Sequence, residues 1–116
     1  MDVDDFKYIN DTYGHQYGDK CLGIIAQAIK SIFGNYGQCY RIGGDEFAVI
    51  LRRYNNVESL ITRFEKTLAD KFKNSSYQLS VSFGYSKYEE NDSLENVLQR
   101  ADFNMYNVKK QKGGKG

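Results

Sequence analysis

The chain has 116 residues and a mass of 13.4 kDa, the size of one domain, which buries roughly two-thirds of the surface its unfolded form exposes. With 41% apolar and 27% charged residues the composition is globular and excludes a disordered chain. Sixteen Lys and Arg against fifteen Asp and Glu leave a net charge of +1, which excludes a bulk electrostatic pull toward nucleic acid or an anionic membrane and requires that any charged ligand be held by a local cluster.

In chain order, the first periodic segment runs from Asp19 to Phe33. Leu22, Ile25, Ile29 and Ile32 form a helical stripe, with Asp19 placed as N-cap and Gly34 just past the end. Two β-prone runs, Cys39–Ile42 and Phe47–Leu51, then flank Gly43-Gly44, a pair that favours a two-residue hairpin because glycine tolerates positive φ. The second run is apolar at every position, which predicts an interior strand covered on both faces. Val57, Leu60, Ile61, Phe64, Leu68 and Phe72 predict an amphipathic helix. From Tyr77 to Tyr85, Leu79, Val81, Phe83 and Tyr85 alternate with Ser80, Ser82 and Gly84, the period of a strand. Leu94, Val97, Leu98, Ala101, Met105 and Val108 form the last helical stripe, with Ser93 before it and Asn96 where a complete capping box would carry Glu or Gln. Helix, hairpin, helix, strand and helix in this order predict an α+β fold, an antiparallel-rich sheet covered by helices. The tail 110–116 is rich in Lys and Gly and is expected to be flexible.

Cys21 and Cys39 match no CxxC pattern and His15 is the single histidine, so neither a disulfide framework nor a His-rich zinc site is expected, and a cytoplasmic setting fits. The longest apolar stretch, Leu22 to Ile29, is too short to span a bilayer and follows no basic leader.

Two acidic constellations can carry chemistry. The first is Asp2-Val-Asp-Asp-Phe-Lys-Tyr-Ile-Asn-Asp11. Carboxylates two apart on an extended segment point to one side, as a hard cation requires. An EF-hand loop is excluded, because its fifth, sixth and twelfth places, counted from Asp2, hold Phe6, Lys7 and Tyr13. The second is Gly43-Gly-Asp-Glu-Phe47 at the hairpin tip, where glycines admit a ligand close to the backbone and two adjacent acids offer a metal ligand and a proton acceptor. Taken separately, a solvated acidic turn and a merely polar hairpin explain them as well.

Taken together with Gly14-His15, Gly18-Asp19, Arg41-Ile42, Ala101-Asp102, Met105-Tyr106 and Val108-Lys109, in that order along nearly the whole chain, they are more specific. The sequence resembles the GGDEF family of diguanylate cyclases. The resemblance implies a palm or nucleotidyl-cyclase-like fold in a single domain over residues 1–116, and condensation of two GTP molecules into cyclic di-GMP and pyrophosphate by two protomers meeting face to face. It implies Asp2, Asp45 and the Val3 carbonyl as ligands of Mg²⁺ (or Mn²⁺). Glu46 would activate the attacking hydroxyl or order the site. The amides around Asp5, Phe6 and Lys7, together with Lys109, would hold phosphates, with Gly43 and Gly44 beside the substrate. Asn10 and Asp19 would hold guanine, since a carboxylate accepts from N1–H and N2–H₂ of guanine, a pattern adenine lacks. Arg41 is expected to support the hairpin, and no nucleic-acid or membrane contact is expected of this chain, a membrane attachment elsewhere in a longer protein being left open.

The sequence departs from the family in three places. The family's domain begins upstream with an Asp-x-Leu-Thr-type segment, a helix and most of the first central strand, so the neighbours of that strand are expected to expose unpaired backbone, with strand exchange between protomers as one remedy. That truncation, and Lys112-Gly113-Gly114 where the family has Gly-Arg-Asn, predict weak or no activity in this chain, and keep a catalytically silent GTP-binding module as the alternative. Gly34 and Gly37 stand where the family carries the Arg-x-x-Asp of its product-inhibition site, so feedback inhibition there is not expected.

Overall fold

The structure, a computed structural model, describes residues 1–52, 56–75 and 77–113. The elements are β1 (Asp2–Val3), α1 (Phe6–Tyr13), α2 (His15–Phe33), β2 (Gly37–Arg41), β3 (Phe47–Leu51), α3 (Val57–Lys71), β4 (Val81–Ser82) and α4 (Leu94–Gly113). β1 pairs antiparallel with β4, and β2 with β3. The two ladders are joined where Met1 and Phe47 exchange N–H···O bonds, both 2.8 Å, and where the Val3 amide donates to the Asp45 carbonyl at 3.1 Å. The spatial order is therefore β2-β3-β1-β4, and the fold is α+β with antiparallel pairing, as expected.

Strand alternation gives the sheet two different faces. Val3, Phe47 and Val81 point to one face and are buried with Ile25, Ile29, Phe64 and Leu68 of α2 and α3. Asp2, Glu46 and Ser82 point to the other, which α4 approaches: Lys109 of α4 reaches Asp2, and a Cβ on Gly84 would meet the Ala101 carbonyl at 2.1 Å.

Four expectations need correction. First, α2 begins at His15, four residues before Asp19, because Gly14 (φ 91°) turns the chain between α1 and α2. Asp19 lies inside the helix and caps nothing. Second, the hairpin joins through residues 42–46, not two residues, and neither Gly43 nor Gly44 has positive φ. Instead Arg41 closes the turn, its guanidinium donating to the Gly43 and Gly44 carbonyls at 3.2 and 2.6 Å. Third, β3 is not covered on both faces: Phe47 is buried, but Ile50 is exposed. Fourth, the strand expected over 77–85 forms a ladder only at Val81–Ser82, since β1 offers partners only at Asp2 and Val3. The helix expected from Val57 is capped by Asn56, whose Oδ1 accepts from the Ser59 amide at 3.1 Å, and Phe72 ends it. Ser93 accepts from the Asn96 amide at 3.1 Å, so the partial cap still serves α4. Residues 110–113 of the expected flexible tail are helical; 114–116 lie outside the described residues.

The turn into α4 is fixed by a bidentate pair, with Arg100 donating to both Asp92 oxygens at 3.0 and 2.6 Å. These bonds, with the Glu89 amide behind them, bring the Asp92 carboxyl from its ordinary 3.8 to about 2. A carboxyl depressed in the folded state adds stability that is fully present above its unfolded value and lost as pH falls through the folded one. Asp92→Asn is therefore expected to be less stable than the parent at neutral pH and to lack the loss of stability that the parent shows as pH falls from 3.8 to about 2. Denaturant midpoints measured against pH check this.

Candidate active site

The site is built where β1, the 42–46 turn and the last turns of α4 meet. β1 is short, but its two-sided pairing fixes Asp2 between Ser82 and Glu46. The Val3 amide takes the Asp45 carbonyl, so the acidic opening segment and the glycine turn are tied by the backbone itself. Asp2 and Asp45 lie within hydrogen-bonding reach of each other. Burial pushes the Asp45 carboxyl above its ordinary value, and the charge of Asp2 pushes it further. Lys109 places Nζ 2.6 Å from Asp2 Oδ2. Burial works against the Lys109 charge, but the bond to Asp2 and the charges of Asp2, Asp4 and Asp45 together raise its pKa.

Asp2 Oδ1 is buried and has no hydrogen-bond partner. An orphaned carboxylate oxygen is costly, and here it sits beside a second carboxylate and the Val3 backbone. That oxygen-rich donor set fits a hard divalent cation. Among the described residues no group of three or more His, Cys, Asp or Glu could hold a metal ion; Asp2 and Asp45 bring two carboxylates to this point. Glu46 stands next to it, half-buried.

A second part of the site lies at the start of α1. Asp5 precedes it in the left-handed region (φ 54°) and gives no side-chain cap. The first-turn amides, including those of Phe6 and Lys7, therefore keep donors that the helix cannot use, a setting that suits an anion. The Phe6 ring packs inward, so Phe6 offers its amide alone; Lys7 is exposed. Asp4, which the sequence pairs with Asp2 as an acid two residues on, instead anchors this turn. Its carboxylate accepts from Ser80 Oγ at 2.6 Å and Ser82 Oγ at 2.5 Å, and its amide donates to the Ser80 carbonyl at 3.0 Å.

The third part lies between α1 and α2. Asn10 Oδ1 is also buried without a partner, and a Cβ at Gly18 would stand 1.9 Å from it. Only glycine admits the Asn10 amide there. Asp19, one residue on, is exposed. The predicted residues thus form three groups: Asp2, Val3, Asp45, Glu46 and Lys109 where β1 meets the 42–46 turn and α4; Phe6 and Lys7 at the helix start; Asn10 and Asp19 at the helix crossing. Gly43 and Gly44 are exposed at the turn.

Among known proteins, the chain is 36% identical over 121 residues to the diguanylate cyclase DgcN of Escherichia coli (strain K12), covering 99% of this chain and 30% of the relative. It is 35% identical over 117 residues to the diguanylate cyclase VdcA of Vibrio cholerae, covering 94% and 34%. The chain thus spans about a third of the length of these curated relatives. Among solved structures it superposes on the GGDEF domain of DgcB from Caulobacter crescentus in complex with c-di-GMP (TM-score 0.77, 28% identity, 95% of this chain and 69% of that one). It also superposes on the diguanylate cyclase SiaD from Pseudomonas aeruginosa, solved with its activator SiaC (TM-score 0.81, 26% identity, 95% and 44%). Residues 1–115 match the family described as diguanylate cyclase, GGDEF domain; the chain belongs to that family.

Proposed function

We propose that residues 1–116 form a single catalytic domain that condenses two GTP molecules into cyclic di-GMP, with two protomers each presenting one GTP to the other. The observation that carries this reading is the buried, unpartnered Asp2 Oδ1 beside Asp45, at the point where two distant segments are held together by backbone hydrogen bonds. Asp2, Asp45 and the Val3 carbonyl would hold Mg²⁺ (or Mn²⁺). When bound, such an ion neutralises triphosphate charge and the charge that develops as the leaving group departs.

The chain's own groups supply the rest. The first-turn amides at Phe6 and Lys7 receive terminal phosphate oxygens. Lys109, already charged and close to Asp2, stands to exchange that partner for phosphate. Gly43 and Gly44 let the turn approach the nucleotide. In the reaction the 3′-hydroxyl oxygen of one GTP forms a bond to the α-phosphorus of the other; the bond to pyrophosphate breaks, and the hydroxyl proton is lost. Glu46 either accepts that proton or orders the site. Asn10 and Asp19 receive the guanine edge, and the freedom of Asp19 from any capping duty leaves its carboxylate for that role. Among the described residues no helix is long and apolar enough to cross a membrane.

The test is a chromatographic assay of the chain with GTP and Mg²⁺. Cyclic di-GMP with pyrophosphate, formed slowly, is the expected product; GTP binding without any product would favour the silent signalling module. Asp19→Ala is expected to lower the GTP-over-ATP preference by about 10–10²-fold, the ~1–3 kcal/mol of discrimination that a bidentate contact to a base edge contributes. An unchanged ratio would remove Asp19 from base recognition.

A further inference from the structure

The carboxylates of Asp2 and Asp45 stand within hydrogen-bonding reach of each other, and Asp45 is partly desolvated. Two like charges that close call for a counter-charge, and the chain supplies one of its own. Lys109 comes in from α4 and places Nζ 2.6 Å from Asp2 Oδ2. With 34% of the Lys109 side chain and 19% of the Asp2 side chain exposed, water and salt screen this pair less than they screen a surface pair. The surrounding acids outweigh burial and keep the ammonium charged. The bond engages Oδ2 alone; Oδ1 of the same carboxylate is buried without a partner.

Asp2 therefore serves two sites at once. One oxygen carries an ammonium, and the other belongs to the donor set assigned to a divalent cation. Two positive groups on one carboxylate repel each other, most strongly where water is scarce. Lys109 can yield, because four methylenes and three rotatable donors let its head change partner. A triphosphate received at the first turn of α1 offers it other anionic oxygens. We propose that Lys109 is an internal counter-ion that couples the two ligands of the site: while bonded to Asp2 it disfavours a divalent cation, and a nucleoside triphosphate draws it off Asp2 and so tightens the cation. This rests on the metal set of the proposed function and goes beyond it in fixing the order of events. The chain alone holds a divalent cation weakly, and nucleotide and cation raise each other's affinity by one and the same factor. A Lys109 that served only as a phosphate ligand would leave cation binding without nucleotide unchanged. A Lys109 that served only to orient the Asp2 carboxylate would have the opposite sign, since losing the outer partner of a metal ligand weakens the metal by ~10–100-fold.

The experiment is a calorimetric titration of the full chain with Mn²⁺ alone, without nucleotide. Lys109→Met keeps an unbranched stem, removes the charge, and is expected to bind Mn²⁺ at least ~10-fold more tightly than the parent. Lys109→Arg keeps the charge and is expected to bind Mn²⁺ as the parent does. The titration is then repeated with 3′-deoxy-GTP, which lacks the attacking oxygen. The factor by which this nucleotide raises Mn²⁺ affinity is expected to be at least ~10-fold larger in the parent than in Lys109→Met; chelation of the ion by nucleotide in solution is common to both and cancels in the ratio. Unchanged or weaker Mn²⁺ binding by Lys109→Met would overturn the proposal and leave the metal set standing. No Mn²⁺ binding by parent and variant alike, or binding that Asp45→Asn leaves intact, would overturn the metal set and the proposal with it. If Lys109→Met fails to fold, the parent decides by nuclear magnetic resonance. A slowly exchanging Lys109 ammonium signal, identified by its loss in Lys109→Arg, is expected in the chain alone and should vanish on saturation with Mg²⁺; its persistence would reject the coupling.

Discussion

Asp45→Asn is expected to move activity and stability in opposite directions. In the folded chain the Asp45 carboxyl titrates above its ordinary 3.8, first because it is buried and then because Asp2 carries like charge beside it. An acid whose folded pKa is raised binds its proton more tightly folded than unfolded, so stability falls as pH rises between the two values and the penalty is complete above the folded pKa. At neutral pH without metal, the charged Asp45 therefore works against folding. A neutral amide of the same shape removes that penalty, so the metal-free variant is expected to melt at a higher temperature than the parent. Its stability should also lose the gain the parent shows on acidification toward 3.8.

Turnover of GTP should fall at the same time. Charge neutralisation at a phosphoryl centre is worth several kcal/mol, and each 1.36 kcal/mol is tenfold in rate, so a loss of about 10²–10⁴-fold is expected. Thermal melts without metal and the product assay with Mg²⁺, on the same protein, check both halves. A variant that is both less stable and less active would point to a structural role for Asp45. A more stable variant with full activity would remove it from the metal set.

This opposition bears on what the sequence can reveal. The helical stripes of α2, α3 and α4 were legible because each buries a broad apolar face, and the convergence of Asp2 with Asp45 was legible because both acids lie in ordered motifs. No period in the sequence marks the eight-residue α1. Ile9 is its single buried side chain, and a stripe of one residue has no period. Asp19 has the sequence look of an N-cap, and only the Gly14 corner shows that the helix has already begun. The strand expected over 77–85 has the correct alternation but too few partners, and a ladder needs both strands. The partners of Asp4 are hidden in the sequence for a related reason. Ser80 and Ser82 read as the polar side of a strand, whereas Ser82 is buried and both hydroxyls close on the Asp4 carboxylate. Local pattern records which face a residue takes; it does not record what stands opposite.

Phe64→Ala is expected to have the largest effect on stability. Phe64 is fully buried at the centre of the core. Its ring lies 6.0 Å from Phe33 of α2 and 5.5 Å from Phe83, which it meets edge-on at 84°. No rearrangement of one neighbour fills the space left by that ring, because the contacts come from two directions. Truncation of a buried Phe costs about 3–5 kcal/mol, a large share of the ~5–15 kcal/mol that holds a typical domain folded. At about 4 °C per kcal/mol for a chain of this size, the melting temperature should drop by roughly 12–20 °C, measured by circular dichroism. Phe64→Leu, which keeps most of the volume, should lose far less. The consequence reaches the site through Phe83. That residue directly follows the β4 ladder that holds Asp2, so a loosened Phe83 frees Ser82 and, through it, the strand that carries the metal-binding carboxylate. Phe64→Ala at temperatures where it remains folded is therefore expected to weaken Mg²⁺-dependent GTP binding, although its side chain touches no ligand.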